Sequence, residues 1–202
     1  MVYKLLIGVS LTIFLMQACG YKPKPEASCH FVQNSLQQRV SWNRQVPITL
    51  YVHESIPVEF RGALANAMDD WRRILGRELF KIGGVISGTD SPQQDGNSVI
   101  YWENTWDNDR QYEQAQTTIH WAGTQIYEAD VVVNEKDFNY SDAAQGTPGY
   151  VDVESLFVHE LGHVVGLAHN DVTGSVMASV LPKGITRRDP GTVDIEALKC
   201  EY

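Results

Sequence analysis

The 202-residue chain is poor in basic charge and in cysteine, and it has no apolar run long enough to span a bilayer. Its 16 lysines and arginines stand against 25 aspartates and glutamates, for a formal net charge of −9. No basic stripe breaks that balance, which excludes the electrostatic footprint of a nucleic-acid-binding protein. The longest apolar stretch, Leu5 to Met16, falls short of the roughly 20 residues a transmembrane helix requires. Behind Lys4 it fits the hydrophobic region of a secretory signal peptide, residues 1–18. Cys19 closes that leader, so only Cys29 and Cys200 are left for the exported domain. Two cysteines in an oxidising compartment pair by default. A disulfide closing so long a loop adds on the order of 4 kcal/mol in the chain-entropy account.

What remains is one domain's worth of chain, and with 43% apolar residues in the whole sequence it has enough for a sizeable core and is expected to be monomeric. Tyr21-Lys22-Pro23-Lys24-Pro25 reads as an extended tether over 19–28, leaving 29–202 as the folded unit. Val46–Val52 reads as a first strand, and Pro57 opens a helix. Phe60, Leu64, Ala67, Met68, Trp71, Ile74 and Leu75 share one face of that helix, and Gly76 stops it. Phe80–Ile86, Ser98–Trp102, Gln116–Trp121 and Ile126–Asn134 are further strand candidates. Asp90, Asp95, Asn97, Asp107 and Asp109 raise the question of calcium, but without the spacing of a calcium loop they read as turn residues. Arg187-Arg188 reads as a solvated loop.

The chemistry is concentrated between His159 and His169, in the pattern HExxHxxGxxH. On a helix His159 and His163 leave one face and converge on a single ion. Ten residues of continued helix would carry His169 about 15 Å along the axis, so the chain must turn after His163, and Gly166 stands where the turn is needed. Three neutral imidazoles leave a fourth zinc position open, the mark of a catalytic site where a bound water's pKa falls to about 7. Glu160 is placed to take that water's proton and pass it to a leaving amine. Asp152 is the expected N-cap, with Glu154 in the first turn and Val153, Leu156, Phe157, Leu161 and Val164 on the buried face. Thr192 is the expected cap of a last helix, with Asp194 in its first turn.

This motif, followed by Met177 eight residues beyond His169, resembles the metzincin zinc peptidases and within them the matrixin-like group. Ser179, where astacin-like and serralysin-like relatives carry a tyrosine, favours that branch. The resemblance implies an α+β fold with a twisted mixed sheet, an active-site helix, a Met-turn and a C-terminal helix. It implies one catalytic zinc held by His159, His163 and His169, with Glu160 as general base and Met177 as an apolar floor. It also implies that Thr117, Thr118, Ile119, His120, Trp121 and Ala122 form an edge strand that pairs with the backbone of an extended peptide, a form of β-augmentation. The other histidines of a second, structural zinc site are not recognisable around His120, which leaves it an edge or core histidine. Ser28-Cys29-His30-Phe31 does not match the cysteine switch of that group. The Pro-x-Tyr wall expected behind the methionine is replaced by Leu181-Pro182-Lys183-Gly184, which would line the pocket. The cysteine at the leader's end resembles a bacterial lipoprotein signal with Cys19 lipidated; plain secretion after Ala18 is the alternative.

The expected function is therefore an exported zinc endopeptidase. Two alternatives stand beside it, an exported zinc-binding adhesion lipoprotein without turnover, and a metallohydrolase of a non-peptide substrate.

Overall fold

The computed structural model describes residues 25–202. The signal peptide, Cys19 and the first part of the tether lie outside the described residues. Strand β1 (Ile48–His53) starts two residues later than expected, because Pro47 has no N–H to give to a ladder. A 3-10 turn at Val58–Phe60 then leads into helix α1 (Arg61–Leu75), which ends on Gly76 in the left-handed conformation. Strands β2 (Phe80–Ile86), β3 (Ser98–Glu103), β4 (Ala115–Ala122) and β5 (Gln125–Asn134) complete a five-stranded sheet in the order β2-β1-β3-β5-β4. Every pairing is parallel except β4 with β5, so β4 forms an antiparallel edge. Two short strands, β6 (Tyr140–Ser141) and β7 (Val151–Asp152), pair in parallel and launch helix α2 (Val153–Val164). An irregular segment follows before helix α3 (Thr192–Lys199). The result is the mixed-sheet α+β architecture expected. Among the described residues no helix is long and apolar enough to cross a membrane.

The core lies between one face of the sheet and the two long helices. Leu50, Val52, Ile100, Trp102, Val131 and Val133 face Trp71 of α1 and Phe157 and Leu161 of α2, all buried. Each such side chain contributes roughly 1.5–3 kcal/mol by leaving water. Trp71 also donates its indole N–H to the Val158 carbonyl at 2.9 Å, and Trp42 donates to Val164 at 2.8 Å. The second bond satisfies one of the carbonyls left open at the end of α2.

Residues 26–42, for which the sequence carries no periodic signal, form a strap around that helix end. Glu26 already bonds to Gln37, Phe31 bridges to Leu167, and Ser41 bridges to Gln125. The strap is tied to the C-terminus by the Cys29–Cys200 disulfide, which spans 171 residues of sequence, and by Arg39 and Ser41 to Glu201 at 2.8 and 2.7 Å. Changing both cysteines to serine is expected to lower unfolding free energy by about 2–4 kcal/mol. Urea titration of the variant beside the oxidised parent measures the difference.

Candidate metal centre

Helix α2 is buried on nearly every side, so its ends must be satisfied by protein. Asp152 caps it, accepting from the Ser155 N–H at 3.0 Å and from the Ser155 hydroxyl at 2.6 Å. The same carboxylate accepts from Arg188 Nε at 2.8 Å, and Arg188 also pairs with Glu154 at 3.2 Å. Arg187 spans the next loop, donating its side chain to the Val180 carbonyl at 3.0 Å and to that of Ala178. The expectation that Arg187 and Arg188 form a solvated loop is thus overturned. Arg188 ties the final segment to the buried acids at the start of α2, and Arg187 ties it to the loop at 178–180.

The helix turns away at Gly166, with φ of 102°. A Cβ at that position would sit 2.5 Å from the Val40 carbonyl of the strap, so both the conformation and the space demand glycine. His169 then folds back to the two helical histidines, with ring centroids 5.2 Å from His159 and 4.7 Å from His163. One ligand nitrogen from each of the three lies within 4.8 Å of the others.

The hydrogen bonds decide the tautomers. His159 Nδ1 lies 2.8 Å from the Val176 carbonyl and His163 Nδ1 lies 2.8 Å from that of Leu167. Carbonyls only accept, so both Nδ1 atoms carry the proton and both Nε2 atoms are bare lone pairs. Those two Nε2 atoms are 3.1 Å apart. Two lone pairs cannot hydrogen-bond to each other. Nitrogens bound at 2.0–2.1 Å in tetrahedral directions stand about 3.3 Å apart, so the contact fits joint ligation of one zinc ion. The backbone carbonyls are the outer partners that hold imidazole ligands in place.

Burial pushes both rings down to about 4 from the ordinary 6.5. The unfolded chain therefore takes up protons between pH 6.5 and 4 that the folded, metal-free protein refuses. Stability from these rings is complete above 6.5 and is lost as pH falls through 4. Metal-stripped protein is expected to lose a few kcal/mol over that window, and urea midpoints between pH 7 and 4 would check it.

The Met-turn supports this arrangement from below. Met177 is buried, and a Cβ on Gly162 would meet its Sδ at 2.2 Å, so the glycine between the two helical histidines lets the methionine seat beneath them. Asn170, next to the third histidine, donates its N–H to the Met177 carbonyl at 2.8 Å. Asp194 holds the turn, accepting from Val176 N–H at 2.9 Å, Gly191 N–H at 2.8 Å and the Ser175 hydroxyl at 2.5 Å. The cap of α3 is accordingly Gly191 rather than Thr192, and Asp194 is a buried bracket as well as a first-turn acid.

A cleft of about 720 Å³ opens above the histidines. Glu160 lines it at 4% exposure, and its Oε2 accepts from the Thr117 hydroxyl at 2.6 Å. Burial pushes the Glu160 carboxyl up, while its histidine neighbours and the Thr117 hydroxyl act the other way.

Of the six residues expected to receive substrate, Thr117 and Ile119 line this cleft; Thr118, His120, Trp121 and Ala122 do not. Alternate strand residues point to opposite faces, and a register shift after His120 turns the end of β4 away. Gln114, Ala115 and Gln116, just before the expected stretch, line the cleft instead. His120 meets Glu128 and Asp130 on the far face, where burial pushes Asp130 up to about 7. Leu181 lines the cleft with Ala178, Ser179 and Val180, but Pro182, Lys183 and Gly184 do not; Gly184 packs against Gly146 and Pro148. Asp90, Asp95, Asp107 and Asp109 form no ligand group among the described residues, and Asp95 accepts the Asn97 N–H at 2.8 Å as a turn residue does.

A mixed sheet with an antiparallel edge, a helix carrying two histidines, a glycine turn to a third and a methionine beneath them define a metzincin-type fold. Sequence comparison agrees, since the matrixin family profile matches residues 63–202, more than half of the chain. The chain belongs to the matrixin family, a family of zinc metallopeptidases. One relative, metalloendoproteinase 2-MMP of Arabidopsis thaliana, is 38% identical over 52 residues. That segment is 26% of this chain and only 14% of the relative.

Proposed function

We propose that this protein is a zinc endopeptidase that cleaves extended segments of protein substrates. The observation that carries the reading is the pairing of two bare Nε2 atoms, 3.1 Å apart, with a buried glutamate that lines the same cleft. His159, His163 and His169 would hold the ion. Zinc, when bound, supplies Lewis acidity toward a carbonyl and lowers the pKa of a coordinated water to about 7. Everything else falls to the chain's own residues. The free edge of β4 offers N–H and C=O groups to an extended backbone, so affinity need not depend on side chains. Glu160 accepts the proton of the attacking water and returns it to the departing amine. Ala178–Leu181 form the wall beside the histidines and set which side chain fits there.

Glu160 also separates this reading from a zinc-binding adhesion module, which has no use for a carboxylate in that place. Export fits the disulfide, which persists in oxidising compartments. Lipidation at Cys19 would then tether the domain to a cell envelope.

The test is cleavage of an unfolded protein by the purified domain. Activity lost to a chelator and restored by zinc supports the proposal. A metal-loaded protein that leaves peptides intact but hydrolyses small esters would replace it with the non-peptide reading.

A further inference from the structure

We infer that Thr117 is a positioning residue for Glu160, an inference that rests on the peptidase reading above. A carboxylate only accepts, so the Thr117 hydroxyl donates its proton to Oε2, and at 2.6 Å the bond is a short, charge-assisted one. It is the only hydrogen bond from a protein group to the Glu160 side chain among the described residues. The buried Tyr140 hydroxyl is not a competing donor, since it is turned to the Gln114 and Asn134 carbonyls at 2.9 and 2.8 Å.

The consequence is mechanical. A glutamate on a helix is anchored at its backbone and free at its end, and its terminal torsion is broad. Fixing Oε2 removes that freedom and dedicates the other oxygen to the water's proton. Threonine suits the task because its β-branch restricts χ1, so the hydroxyl is already aimed. The strand delivers it from outside the helix, since Thr117 pairs through its backbone with Val131 of β5. One residue thus links the strand expected to hold substrate to the group expected to move the proton.

Thr117→Val keeps the shape and the strand and removes the donor. Losing the bond that holds the base in its reactive orientation is expected to lower the rate by about ten- to a hundredfold, because the competing orientations of the freed carboxylate are unproductive. The loss should appear in kcat, with KM within about twofold, because the backbone contacts of β4 survive. Thr117→Ser should recover most of the rate. Zinc content should be unchanged in both. A second readout needs no turnover: the carboxyl carbon resonance of Glu160, labelled in the full domain, should shift in Thr117→Val and return in Thr117→Ser.

An active parent whose kcat is untouched by Thr117→Val overturns the inference and leaves the peptidase reading standing. So does an equal loss in Thr117→Ser, which would point to packing, or a loss confined to KM, which would point to substrate contact. An inert, zinc-loaded parent sinks the peptidase reading and takes this inference with it.

Discussion

Replacing Glu160 with glutamine is expected to slow peptide hydrolysis by about 10²–10⁴ while leaving zinc content and fold intact. The substitution holds shape constant and removes one property. Glutamine's carbonyl oxygen still accepts from the Thr117 hydroxyl, which lies 2.6 Å from the native carboxylate, and the three histidines keep their carbonyl partners. An amide cannot take a proton at neutral pH, so the attacking water has to shed it to solvent and the amine leaves without an acid beside it. Folding does not suffer, because the carboxylate is 4% exposed and its burial disfavours the charged form. A neutral isostere there is expected to be neutral or stabilising. Steady-state rates, metal analysis and a urea midpoint on one preparation separate these outcomes. If the glutamine variant cleaved at the parent's rate, Glu160 would not be the base and the proton would have another route.

The distances in sequence explain what could be read without a structure. The metal centre is legible because its logic is local. Two histidines one helical turn apart, a glycine that ends the helix and a third histidine three residues later are constraints of backbone geometry. The strands are legible for the same reason, and β2 runs over the very residues its pattern marks. The brackets around the site are not local. Thr117 and Glu160 are 43 residues apart, Arg188 and Asp152 are 36 apart, and Asp194 and Val176 are 18 apart. Nothing in the neighbourhood of Thr117 or Arg188 distinguishes it from an ordinary strand threonine or a surface arginine. The strap was hidden differently, since residues 26–42 earn their place by irregular bridges that no hydrophobic period announces. A one-residue matter decided the helix cap, where Thr192 has the preferred side chain but Gly191 takes the position.

Asp194 is where that hidden layer carries its greatest weight, and Asp194→Ala is expected to cost about 4–6 kcal/mol of stability together with a large part of the zinc affinity. The side chain is 1% exposed and receives three donors, the Val176 and Gly191 N–H groups and the Ser175 hydroxyl. Removing it leaves those donors without a partner in a place water reaches poorly, at about 1–3 kcal/mol for each buried group. That sum approaches the whole margin of a typical domain, about 5–15 kcal/mol. The damage also runs toward the metal. Val176 uses its N–H to hold Asp194 and its carbonyl to hold His159 Nδ1 at 2.8 Å, so a loosened turn loosens the first of the three proposed ligands. Loss of such an outer partner lowers metal affinity by about 10–100-fold. Asp194→Asn keeps an acceptor for one or two of the donors and should fall between the parent and alanine in both properties. Competition with a zinc-sensitive dye, read beside thermal melts of the metal-free and zinc-loaded forms, distinguishes the two effects. A variant that lost stability in the metal-free form but bound zinc as tightly as the parent would show that the Met-turn holds itself, and that His159 is set by its helix alone.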